Sequence, residues 1–324
     1  NKIGINYDQN TLINTTISEN WFDNPITQGT HTDNFAIRCT EAVLATNPNS
    51  YPNYFVYNNY INGYYNGITA KFTLQSSIRD NEVHMIPDNT SGNYQQGISI
   101  VSGNNNELYN NLVDMPSGTP ATWWQTGIFT DQSTVPKIHC NNINNIGTGI
   151  VANSLNYTTA GNGFYGNSMT NAAYGFWLNA NGEIGNQFYA VGTSSYSADN
   201  SWTSCTNETY AGANCNLNGG TPAKFYTRAT FPYYIINAAH ATGGFDLAGT
   251  NNSIGYTGAC YAGIATPTLN LRLSGATAQA ALMQQADNIA NGSLTFASNN
   301  ISLKQIARKQ LYSHLALQQI DPAV

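Results

Sequence analysis

Three side chains able to move a proton or hold a cation stand out in the sequence: Glu82, His84 and Asp114. His84 and Asp114 are 30 residues apart, in a stretch where other residues recur at the same interval. That spacing predicts equivalent places on adjacent strands, about 5 Å apart. A histidine beside a carboxylate does acid/base work, and with Glu82 the pair offers ligands to a cation such as calcium. The same trio also reads as a solvated ion pair of little energetic weight. A second group is aromatic: Tyr94, Trp123 and Trp124. Flat rings stack against sugars, and uncharged Asn and Tyr groups supply hydrogen bonds. The alternative is that the two tryptophans fold back over the core. Together Tyr94, Trp123, Trp124, Glu82, His84 and Asp114 form a candidate glycan platform.

Other chemistry has weaker support. His31-Thr-Asp33 and His139-Cys140 are isolated, and no C-x-x-C pair marks a zinc or redox site. Nothing such as G-x-S-x-G marks a nucleophile, and no close-spaced set of Asp suits a glycosidase. No cofactor is expected, since even calcium lacks a clear motif. Catalysis is left open, with the balance against it. Five cysteines are present, of which Cys205 and Cys215 lie ten apart in a polar stretch. That spacing predicts a loop disulfide, with two loop thiols as the alternative. Cys140 reads as a small buried hydrophobe.

Composition narrows the class. Charged residues make up 9% of the 324, against about 25% in ordinary soluble proteins, while 47 residues are Asn. The net charge of −6 carries no basic stripe, which excludes a nucleic-acid partner. No apolar run reaches the roughly 20 residues of a membrane span. With 41% hydrophobic residues the chain has enough apolar side chains for a core.

The elements that would position the platform repeat. The frame is an apolar residue, two spacers, Asn, one spacer, an apolar residue. It runs Ile17…Asn20…Phe22, Val56…Asn59…Ile61, Ile78…Asn81…Val83, Leu108…Asn111…Val113, Ile138…Asn141…Ile143 and Phe164…Asn167…Met169. A seventh, variant copy places Gln at 187, between Ile184 and Tyr189. Gly-hydrophobe pairs alternate with the frame at 67–68, 97–98, 127–128, 149–150 and 175–176, with Ala36-Ile37 in the same role. Alternating apolar positions are the mark of strands with one buried face. One unit cannot bury that face alone, so stacked units must share a core. Asn20, Asn59, Asn81, Asn111, Asn141 and Asn167 should form a hydrogen-bonded ladder, at bends that tolerate left-handed dihedrals.

This frame resembles the right-handed parallel β-helix of the pectate-lyase-like superfamily. The resemblance is clear over residues 1–190 and looser to 270. It implies an all-β solenoid and leaves function open, because lyases, hydrolases and adhesins share the fold. The composition is similar to multi-domain surface proteins of Bacteroidota-type bacteria. The expected organisation is a β-helix over 1–272, with a loop excursion at about 190–230, then a C-terminal helical cap or linker over 273–324. Equal insertions at 86–96 and 116–126 should stack into a wall carrying the aromatic residues. The expected function is a secreted or cell-surface segment of a longer polypeptide, structural or adhesive, that binds neutral glycans or other envelope proteins without catalysis. The alternative is a polysaccharide lyase or glycoside hydrolase with its site along the 86–126 wall.

Overall fold

The computed structural model describes residues 2–9, 14–24, 34–41, 52–87, 94–116, 124–133, 136–153, 163–179, 183–184, 187, 189–191, 194–196, 198, 200–211, 216–217 and 241–242. All lie in the first of two compact units, Asn1–Cys260; the second is Tyr261–Val324. The helices expected after 273, Trp123 and Cys215 fall outside the described residues.

The described residues form a parallel β-helix solenoid, with strands and no helix. The first six coils each contribute one strand to each of three parallel sheets. The largest has nine strands, from Lys2–Gln9 through Asn34–Glu41, Asn66–Lys71, Gln95–Val101, Gln125–Asp131 and Thr148–Asn153 to Tyr174–Leu178, Asn207–Ala211 and Ala241–Thr242. The second has six, from Asn14–Ser18 through Asn53–Tyr57, Ser77–Arg79, Glu107–Tyr109 and Lys137–His139 to Phe164–Tyr165. The third has seven, from Trp21–Asp23 through Tyr60–Tyr64, Glu82–Met85, Leu112–Asp114, Asn142–Asn144 and Ser168–Thr170 to Ser201–Thr203.

The apolar frame residues stack in register inside. Ile37, Ile68, Ile98, Ile128, Ile150 and Phe176 form one column. Val56, Ile78, Leu108, Ile138 and Phe164 form another, and Ile61, Val83, Val113, Ile143 and Met169 a third. All are essentially out of solvent. Each such side chain contributes roughly 1.5–3 kcal/mol by burial. Gly67, Gly97, Gly127 and Gly149 are needed for close approach. A Cβ on Gly97 would collide with Val113 Cγ1 and fall 2.8 Å from the Gly127 carbonyl oxygen of the next coil.

The amide ladder runs along one corner and has a direction. Asn81 donates from its backbone N–H (3.1 Å) and from Nδ2 (3.0 Å) to Asn111 Oδ1, and Nδ2 also reaches back to the Val56 carbonyl at 2.9 Å. Asn20, Asn59, Asn111, Asn141 and Asn167 bond onward to the next rung in the same sense. Two expectations need correction. The left-handed residue is not the ladder Asn but the one before it: Glu19, Asn58, Asp80, Asn110, Cys140 and Gly166 have φ between 55° and 65°. That kink aims the following Asn inward, where its amide replaces backbone partners lost at the corner. The seventh rung is Asn200, which accepts from Asn167 N–H and Nδ2 at 3.0 Å. Gln187 serves elsewhere, accepting from the Phe164 N–H at 2.8 Å. The stretch 190–230, expected to leave the stack, returns two strands to it: Ser201–Thr203 pairs with Ser168–Thr170, and Asn207–Ala211 with Tyr174–Leu178.

Candidate functional site

Every third-sheet strand turns alternate side chains outward, so two outward columns run along the solenoid. One comprises Trp21, Tyr60, Glu82, Leu112, Asn142 and Ser168; the other Asp23, Asn62, His84, Asp114, Asn144 and Thr170. The expected juxtaposition of His84 and Asp114 is found here. They are paired across adjacent strands, with His84 Nδ1 2.6 Å from Asp114 Oδ1. His84 Nε2 is 2.6 Å from Glu82 Oε1. Glu82 is only 3% exposed, whereas His84 and Asp114 are partly open.

Burial alone would lower the His84 pKa. The hydrogen bonds and charges of Asp114 and Glu82 outweigh it and raise the value to about 9. His84 is therefore an imidazolium at neutral pH, donating from both nitrogens. A ring in that state holds two carboxylates apart; it has no lone pair with which to accept a proton. Among the described residues no group of three or more His, Cys, Asp or Glu is arranged to hold a metal ion.

The aromatic part of this face lies beside the triad. Tyr60 tilts against His84 with ring centroids 5.2 Å apart, and Trp21 stacks on Tyr60 at 4.0 Å with 23° between planes. Trp21 sits on the edge strand of the sheet and remains 57% exposed. Two residues on, exposed Asp23 accepts a hydrogen bond from Asn62 Nδ2 at 2.9 Å. Burial raises the Tyr60 pKa, and the charges of Glu82, Asp23 and Asp114 add to the rise. Trp21, Tyr60 and Asp23 were not among the residues singled out from sequence. Trp21 and Tyr60 occupy the spacer of the frame, immediately after Asn20 and Asn59, a position that the frame leaves unspecified.

The expected wall is described in part. Tyr94 is 62% exposed, and with Trp21 makes up the exposed large hydrophobics among the described residues. Tyr94 and Trp124 immediately precede the paired residues Gln95 and Gln125 of neighbouring coils. Trp124 is partly exposed, but its indole nitrogen is out of reach of solvent.

The second sheet carries an outward column that sequence reasoning also missed. Tyr57, Arg79, Tyr109, His139 and Tyr165 stand in register. Arg79 lies 4.6 Å over the Tyr57 ring, and His139 stacks between Tyr109 (5.1 Å) and Tyr165 (4.6 Å). A hydrogen bond from His139 Nε2 at 3.0 Å holds the Glu107 carboxyl below its usual range, against the opposing effect of burial. These residues all sit two before a ladder Asn, and reading that position down the copies would have shown the column. Tyr165 is buried and His139 nearly so, which makes the column a lateral brace of the coils.

One cysteine expectation is corrected and the other extended. Cys205 is a buried thiol, not half of a disulfide with Cys215; its Sγ lies 3.6 Å from the Met169 carbonyl oxygen, in the core beside Trp202. Cys140 is buried as expected, and it is disulfide-bonded. Compared with known protein families, curated proteins and solved structures, the chain finds no match.

Proposed function

We propose that the chain is a secreted or cell-surface β-helix segment with a structural and adhesive role, binding neutral glycans without turning them over. In this reading it is a member of the pectate-lyase-like superfamily, of the kind borne by surface proteins of Bacteroidota-type bacteria; the repeating Asn frame supports that kinship. The observation that carries the binding role is the outer face of the third sheet, where Trp21 is 57% exposed on a ring stack, beside Asp23 and Asn62. An exposed indole flanked by fixed polar groups suits the apolar face and hydroxyl rim of a sugar. What favours binding over turnover is His84, whose two nitrogens are both engaged by carboxylates.

The test is a panel of immobilised glycans, combined with assay of the same glycans for reducing ends and unsaturated products. Retention without product, abolished in Trp21→Ala, is the expected result. Appearance of product that Asp114→Ala removes would overturn the reading in favour of a lyase or hydrolase.

A further inference from the structure

The Trp21 end of the face differs from the rest in its charge. The acids Asp23, Glu82 and Asp114 all lie on the two outward columns, and the single imidazolium among them, His84, is held by Glu82 and Asp114. Asp23 is the acid of this group that stands exposed next to the exposed ring. Asn62 holds one of its oxygens at 2.9 Å, which orients the carboxylate. Along one strand, outward residues two apart are separated by about 7 Å, so a ring stacked on Trp21 reaches Asp23 with a substituent.

We propose that the Trp21–Asp23 end of this face is a subsite for sugar residues carrying an unacylated amino group. The inference rests on the glycan reading above and extends it from uncharged rings to amino sugars. Such a residue offers an apolar C–H face to the indole and an ammonium to the carboxylate. Indole is the strongest of the side-chain rings in attracting a cation. A uronic acid in the same place would face the Asp23 carboxylate. That the Tyr60 phenol is made harder to ionise, first by burial and then by Glu82, Asp23 and Asp114, agrees with a negative field at this end.

The experiment compares two probes, the glucosamine hexasaccharide and its fully N-acetylated counterpart, by calorimetry at low salt in mildly acidic buffer. The amino form is expected to bind about 10-fold tighter, with the advantage shrinking as salt rises. Asp23→Asn should erase that advantage and leave the N-acetylated probe unaffected; Trp21→Ala should weaken both. Equal binding of the two probes, or an advantage that survives Asp23→Asn, overturns the inference and leaves the glycan reading standing. If neither probe binds and the glycan panel is also blank, both fall together. Concentration-dependent oligomers dissolved by Trp21→Ala would assign this face to a second copy of the chain, and would overturn the inference as well.

Discussion

Asp114 stands one coil beyond His84, and its carboxylate holds the imidazole Nδ1 at 2.6 Å while Glu82 holds Nε2 at the same distance. This gives the pH dependence a definite sign. The folded pKa of His84, about 9, lies above its ordinary value of 6.5. Its contribution is therefore complete below about pH 6.5 and is lost as pH rises through about 9. Thermal melts of the wild type and of His84→Gln should differ most near pH 6, by up to about 3 kcal/mol, and converge toward pH 10. A gap that widens with rising pH would contradict the assignment.

The amide ladder predicts unequal rungs. In Asn111→Ala, the N–H and Nδ2 of Asn81 lose their acceptor inside the solenoid, and the onward bond to Asn141 is lost too. The expected cost in urea unfolding is about 3–5 kcal/mol. Asn20→Ala removes donors from a half-buried end rung and should cost about 1 kcal/mol.

Packing of the glycine column can be tested with a double-mutant cycle. Gly97→Ala should cost about 2–3 kcal/mol, because the new methyl meets Val113 Cγ1 and the Gly127 carbonyl. Val113→Ala opens space for it, so the pair should cost less than the sum of the single changes. Strict additivity would show that the carbonyl contact dominates.

The thiol assignment predicts a labelling pattern. Unfolded without reductant and treated with an alkylating reagent, Cys39 and Cys205 should be modified and Cys140 protected. Peptide mass spectrometry reads this directly, and reduction should then expose Cys140.

Much of the scaffold was legible because a β-helix writes its geometry into short, repeated frames. Asn59, Asn81, Asn111, Asn141 and Asn167 share an apolar −3 and +2 context, and each makes the expected rung. Asn200 escaped because Ser197 stands where the frame has an apolar residue, whereas Gln187 fitted the letters and not the corner. The His84–Asp114 contact was legible for the same reason: equal coil length sets the register. The exposed Trp21 and the braced column around His139 were not, because outward positions of a solenoid carry no common residue type from coil to coil: Tyr57, Arg79, Tyr109, His139 and Tyr165 share a place and not a chemistry. The state of His84 was also out of reach. It depends on Glu82, two residues away on the same strand, bending back to the ring.

Each inner rung of the amide ladder gives its N–H and one Nδ2 hydrogen to the Oδ1 of the following coil, sends its other Nδ2 hydrogen back to a carbonyl of the preceding one, and takes an N–H from the following coil on its own carbonyl. Trimming coils from the leading side frees Oδ1 oxygens, which water satisfies readily, but also leaves one Nδ2 hydrogen and the backbone N–H after the rung without their carbonyls. Trimming from the trailing side strands N–H groups at a tight corner. A coil is thus sealed only with neighbours on both sides, and removing whole coils from either end should leave corner N–H groups without acceptors.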